Sequence, residues 1–143
     1  MKTFLPSDPG QNRAWYVVDA TDKVLGRLAV KIANTLRGRQ KTTFSPQIDT
    51  GDFVVVVNAG KVKLTGNKSE TKTYKRYTGY WSGLKEVKAG TMRERHPEKM
   101  IALAVKGMLP ANNQSRKMMT RLKVYAGESH PHAAQKLQQL DVK

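Results

Sequence analysis

The 143-residue sequence predicts an α/β domain with a mainly parallel sheet and helices on both faces, and three observations carry that expectation. Trp15-Tyr16-Val17-Val18 is an aromatic and β-branched run of strand character. Leu25, Leu28, Ala29, Ile32, Ala33 and Leu36 then recur at the spacing of an amphipathic helix. Phe53-Val54-Val55-Val56-Val57 is apolar without alternation, as in a central strand covered on both faces. Strands alternating with helical segments are the order that builds a layered α/β domain. The length suits one domain, which at this size buries roughly 68 to 70% of its unfolded surface.

In chain order, the first strand ends at Asp19, and Thr21-Asp22 offers a cap to the helix that follows, which Gly38 stops. Arg27 and Lys31, four residues apart, project together from that helix toward solvent or phosphate. Gly51-Asp52 turns the chain into the central strand. Val62, Leu64 and Thr65 suggest another short strand that closes at Gly66-Asn67. Residues 66–90, broken by Gly66, Gly79, Gly83 and Gly90, read as an extended basic loop. Thr91 and Glu94 have capping-box spacing, Pro97 suits a first helical turn, and Met100, Ile101, Ala104, Val105 and Met108 form an apolar face, so two linked helices are expected to end at Pro110. Asn112 to Arg116 read as a polar connector, and Leu122 to Tyr125 as a strand. Ala133, Ala134, Leu137 and Leu140 in the tail suggest a short docked helix. Residues 1–14 read as a loosely held arm without a secretory apolar core, and residues 15–143 as a single domain with a C-terminal tail over about 128–143.

Charge is the most informative compositional feature. Lys and Arg number 26 against 11 Asp and Glu, a net charge of +15. Residues 61–127 hold 16 of the basic and 4 of the acidic side chains, so the surplus is concentrated in the second half of the domain. Solubility does not require one sign to gather in this way, whereas holding phosphate does. The absence of Cys excludes disulfide scaffolds, zinc ribbons, iron–sulfur sites and Cys nucleophiles. The apolar runs are far shorter than the ~20 residues of a membrane span, so a soluble protein is expected.

Within 66–90, Tyr74, Tyr77, Tyr80 and Trp81 interleave with Lys68, Lys72, Lys75 and Arg76. Rings among cations suit RNA, because rings stack on bases while the cations hold the backbone; some of these rings should also pin the loop to the core. Arg116 can fork onto phosphate or lie flat on a base. Lys106, near a helix end, is drawn either to RNA or to the carbonyls of its own helix. His130 and His132 are too few for a closed metal site and suit contacts to RNA backbone or a cap on the tail helix. Gly26-Arg27 follows a strand, yet neither G-x-G-x-x-G nor G-x-x-x-x-G-K-[ST] is present, which disfavours a nucleotide enzyme. Asp19, Asp22, Asp49 and Asp52 are better read as turn and cap residues than as a nuclease metal pair.

Several segments also resemble one family when taken together: Trp15 to Ala20 with Leu25-Gly26-Arg27-Leu28-Ala29, Asp49 to Phe53, Asn58-Ala59 and Thr65-Gly66-Asn67-Lys68. The closing blocks Val105 to Pro110, Arg116, Leu122 to Gly127 and His130 to Gln135 strengthen the likeness to bacterial large-subunit ribosomal protein thirteen, over about Trp15 to Gln135. The resemblance implies a three-layer α/β domain around a mostly parallel four-stranded sheet. It also implies a non-enzymatic, cytoplasmic constituent of the large ribosomal subunit that binds ribosomal RNA early in assembly. The implied partners are ribosomal RNA and neighbouring ribosomal proteins, with no cofactor, metal, membrane or homo-oligomer. Three positions depart from the family pattern: Tyr77 stands where His is common, Tyr80-Trp81-Ser82-Gly83 replaces Tyr-Pro-Gly-Gly, and Ser115 replaces Gly. The binding residues carried forward are Lys68, Lys72, Lys75, Arg76, Tyr77, Tyr80, Trp81, Lys106, Arg116, His130 and His132. The competing expectations are a metal-dependent nucleic-acid enzyme with an α/β core and, more weakly, a binder of anionic membranes.

Overall fold

A computed structural model describes residues 5–6 and 13–142; most of the expected N-terminal arm, 1–4 and 7–12, lies outside the described residues. Strands β1 (Trp15–Asp19), β2 (Phe53–Val57), β5 (Leu122–Val124) and β6 (Leu137–Gln139) form a four-stranded sheet in the order β5-β2-β1-β6. Every pairing is parallel, with Trp15 opposite Phe53, Val54 opposite Leu122 and Trp15 opposite Leu137. The α/β class and the four-stranded parallel sheet agree with the expectation.

Register sorts the side chains. Val18, Val54, Val56 and Leu122 lie on one face and share a buried core with Leu28, Ile32 and Leu36 of α1 (Leu25–Arg37) and Met100, Ile101 and Val105 of α4 (Pro97–Met108). All six apolar positions expected on α1 are buried. The opposite face begins at Trp15, stacked on Phe53 at 4.3 Å with the planes 4° apart. His132, on the segment returning from β5 at one edge to β6 at the other, packs on Trp15 at 5.2 Å on this face. Burial on both sides explains why β2 shows no alternation: Val54, Val55 and Val56 are all fully buried.

The entry to β2 locks against the end of α1. Gly38 adopts φ 72°, and Gly38 N–H and Arg39 N–H donate to the carbonyls of Thr35 and Asn34, a Schellman closure. Asp52 N–H donates to Thr35 O, and Arg121 Nη2 donates to Leu36 O at 3.0 Å. Gly51 crosses so close that a Cβ there would lie 1.7 Å from Leu36 O.

Several local expectations are corrected. The tail forms strand β6 instead of a helix: its Ala and Leu spacing mimics a helix, but β1 offers an unpaired edge that Leu137–Gln139 fills, with Leu140 N–H continuing to Val17 O at 2.9 Å. The connector at Asn112 opens a helix, α5 (Asn113–Thr120), whose first turn is capped by the Asn112 side chain accepting from Ser115 N–H. Asp22 caps nothing: it sits in a left-handed turn at φ 55°, and α1 starts after Val24. Val62 to Thr65 contribute only an isolated bridge, Lys63 to Val24, after a 3-10 turn over Ala59–Lys61. The capping box at Thr91 is not used, because α3 (Ala89–Arg95) begins two residues earlier, where Ala89 N–H donates to Lys72 O at 2.8 Å.

Candidate nucleic-acid interface

Residues 66–90 are more ordered than a loop. A single helical turn, α2 (Lys68–Thr71), leads into an antiparallel hairpin of β3 (Thr73–Tyr77) and β4 (Leu84–Lys88). Nearly every hairpin residue is exposed, so neither strand carries the apolar alternation by which sequence reveals strands.

The hairpin has two unlike faces. On the outer face Lys75 opposes Glu86, with Nζ 2.8 Å from Oε1; the pair is solvated and contributes little to stability. On the inner face, turned toward α3 and α4, Tyr74 opposes Val87 and Arg76 opposes Lys85. Two like charges directly across a ladder destabilise it unless an anion lies near. Tyr74 is half-buried against the core, its ring under the Lys72 ammonium at 5.3 Å, and burial pushes its hydroxyl above the ordinary tyrosine value.

The rings therefore divide by role. Tyr74 anchors the hairpin, while Tyr77 and Tyr80 are 67% and 79% exposed and Trp81 is fully exposed at the tip, next to the exposed Leu84. The tip is closed by Thr78 N–H donating to Gly83 O and Gly83 N–H to Tyr80 O. Gly79 supplies one left-handed residue and Ser82, where the family pattern has Gly, supplies another at φ 59°. The backbone thus takes a left-handed bend at Ser82 without a glycine there. A flexible tip would blunt such rings, whereas these closures hold them outward.

The other expected residues are distributed over the surface. Lys68 and Lys72 border a cavity of about 350 Å³ with Lys63, Gly107 and the start of α1. Lys106 is exposed in the last turn of α4, and Arg116 is exposed on α5 instead of in a connector. His132 is engaged internally: its Nε2 lies 2.8 Å from the Tyr125 hydroxyl, and its backbone N–H donates to His130 Nδ1 at 3.3 Å. With no tail helix formed, neither His caps one. The sequence does not single out Lys85 and Lys99; strand pairing places Lys85 beside Arg76, and the packing of α4 brings Lys99 to the inner side of the hairpin.

The acidic residues serve the fold. Asp49 takes both terminal nitrogens of Arg121, which is 3% exposed, and receives Arg13 at 3.6 Å. Burial pushes the Asp49 carboxyl up, but the hydrogen bonds and charge of Arg121, the Gly51 N–H and Arg13 outweigh it and hold the carboxyl below its ordinary value. Asp52 accepts from Lys41 Nζ at 2.6 Å and from Ala14 N–H at 2.9 Å. Asp19 closes the end of β1 by accepting from the Thr21 backbone and hydroxyl and from Asn58, and these hydrogen bonds hold its carboxyl below the ordinary carboxylate pKa. Among the described residues no three His, Asp or Glu side chains gather where they could hold a metal ion. Among those residues also, no helix is long and apolar enough to cross a membrane.

Comparison with known proteins places the chain. The family model for ribosomal protein L13 matches residues 13–131. The large ribosomal subunit protein uL13 of Maridesulfovibrio salexigens is 56% identical over 135 residues, covering 94% of this chain and 95% of the relative. That of Nitratidesulfovibrio vulgaris is 52% identical over 143 residues, 100% and 99% of the two chains, and that of Beutenbergia cavernae 51% over 142 residues, 99% and 97%. Full-length identity above one half, together with a matched family model across three of the four sheet strands, the helices and the hairpin, means that this chain belongs to the ribosomal protein L13 family.

Proposed function

We propose that this chain is a structural constituent of the large ribosomal subunit in the cytoplasm, and that it holds large-subunit ribosomal RNA with the β3–β4 hairpin while the α/β body acts as a rigid mount. As a member of a ribosomal-protein family it is not an enzyme. The observation that carries the RNA reading is the hairpin tip: Tyr77, Tyr80 and Trp81 stand in solvent beyond a shaft bearing Lys72, Lys75, Arg76 and Lys85. Large exposed rings are costly to leave uncovered, and rings among cations suit unpaired bases on a phosphate backbone. Lys68, Lys106 and Arg116 extend the cationic surface. The carboxylates of a rival metal enzyme, Asp49 and Asp52, are occupied by Arg121 and Lys41. Early entry into assembly and contact with neighbouring ribosomal proteins, as a single copy, complete the proposal.

Binding to large-subunit RNA fragments at two salt concentrations tests it. Replacing Lys72, Lys75 and Arg76 together by Ala is expected to weaken binding and to reduce the slope of log affinity against log salt by about 2 to 3. The circular dichroism spectrum should stay unchanged, because exposed charges contribute little to stability. Undetectable or salt-independent association of the native chain refutes the reading.

The tip makes a separate prediction. Trp81→Ala should cost about 1–3 kcal/mol of RNA affinity if the indole stacks on a base. The salt slope should not change, since no charge is removed. Equal affinity of the variant and the native chain in filter binding would show that the tip faces no base.

A further inference from the structure

Behind the hairpin, between its inner face and helices α3 and α4, lies a cavity of about 660 Å³, within the range of small-ligand sites. Its apolar lining comes from Tyr74 and Val87 at the hairpin root and from Met92 and Leu103 on the helices. Its cationic lining comes from Arg76 and Lys85, one pleat nearer the tip, from Lys99 on α4 and, at the hairpin edge, from Lys75, with His96 beside them. Among the described residues no carboxylate lines it.

We infer that this groove receives one unpaired nucleotide of the bound RNA, the base on the apolar root and its flanking phosphates on Arg76, Lys85 and Lys99. The inference rests on the RNA-binding reading above and adds a second, recessed point of contact to the exposed tip. Three observations carry it. The Arg76–Lys85 pair is a like-charge juxtaposition that an anion relieves. The Tyr74 hydroxyl oxygen is buried and has no hydrogen-bond partner among the described residues, a deficit that a polar base edge can fill once the side chains over it move aside. Leu103 is 43% exposed and Val87 38% exposed in the same lining as Tyr74, so the groove presents open apolar surface among the Lys and Arg side chains. A nucleotide supplies a flat face, a hydrogen-bonding edge and negative charge within one unit. A peptide helix has its backbone groups already paired and offers no such edge, so an acidic protein segment fits the hydroxyl less well.

The experiment uses the full chain with isotopically labelled methyl groups and a large-subunit RNA fragment that filter binding shows to associate. The methyl signals of Val87, Met92 and Leu103 should shift as RNA reaches saturation. Tyr74→Phe, which keeps the ring, should weaken binding several-fold, and Leu103→Glu should weaken it about tenfold while the Trp81 fluorescence change on binding persists. If Leu103→Glu fails to fold, Lys99→Glu on the exposed rim reads the same contact. Saturated RNA binding with these methyls unmoved overturns the groove assignment and leaves the broader reading intact; absence of any RNA binding overturns that broader reading instead. Methyls that stay still with RNA but shift with RNA-free large-subunit proteins assign the groove to a protein partner and likewise overturn it.

Discussion

Arg121→Met is expected to lower the melting temperature by roughly 10 to 20 °C, because removing one partner of a buried ion pair costs about 3–5 kcal/mol. Arg121 lies immediately before β5, 72 residues from Asp49 in sequence, and joins three parts of the fold: the Asp49 loop, the last turn of α1 through Leu36 O, and the sheet. Methionine fills much of the volume but leaves the Asp49 carboxylate, among the described residues, with the Arg13 guanidinium and the Gly51 N–H, and the Leu36 carbonyl without its side-chain donor. The loss is a large share of the ~5–15 kcal/mol that holds a typical domain together. Thermal unfolding followed by circular dichroism measures it, and a drop of under about 3 °C would show the pair to be energetically idle.

The same pair sets an acid dependence. The Asp49 carboxyl is held below its ordinary value of 3.8 in the folded chain, so its contribution to stability is complete above that pH. That contribution is lost as pH falls through the lowered folded value. In Arg121→Met the main opposing interactions are gone and burial pushes the carboxyl up, so the acid-unfolding midpoint of the variant should move to higher pH. Asp49→Asn combined with Arg121→Met should cost less than the two single changes added, since each single change strands the other's partner.

Gly51→Ala should destabilise the fold by roughly 3 kcal/mol or more, at the upper end of what overpacking costs. The new methyl would lie 1.7 Å from Leu36 O and 2.5 Å from Leu36 C. Both are backbone atoms of the last turn of α1, which is held in place by its Schellman closure and by Arg121, so neither can move aside cheaply. Gly107→Ala in α4 provides the opposite case. A Cβ there meets nothing within 4 Å, and the change should stabilise by about 0.4–1 kcal/mol by restricting the unfolded chain. Denaturant titrations of the two variants should show opposite displacements of the midpoint; a Gly51→Ala protein as stable as the native chain would mean that β2 does not enter across α1 as described.

What was readable along the chain was whatever buries one repeating face or both faces. The six apolar positions of α1 and the unbroken valines of β2 announced a helix and a central strand because packing imposes a period on local sequence. The concentration of cations over 61–127 and the interleaved rings are likewise legible in the chain, and they support the RNA reading proposed above. The hairpin escaped because both its faces are open to solvent and carry no period, and α5 because Met118 is its one buried residue. Strand β6 escaped because three residues pairing with an edge leave less trace than the helix-like spacing of the alanines and leucines around them. Tertiary packing alone decided that Asp49 meets Arg121, that Arg76 faces Lys85, and that Lys99 and Leu103 close a groove over Tyr74. Burial acts on neighbours a few residues apart and so imprints the chain with a rhythm, whereas contacts between distant segments depend on where the folded backbone returns, and no local spacing encodes that return.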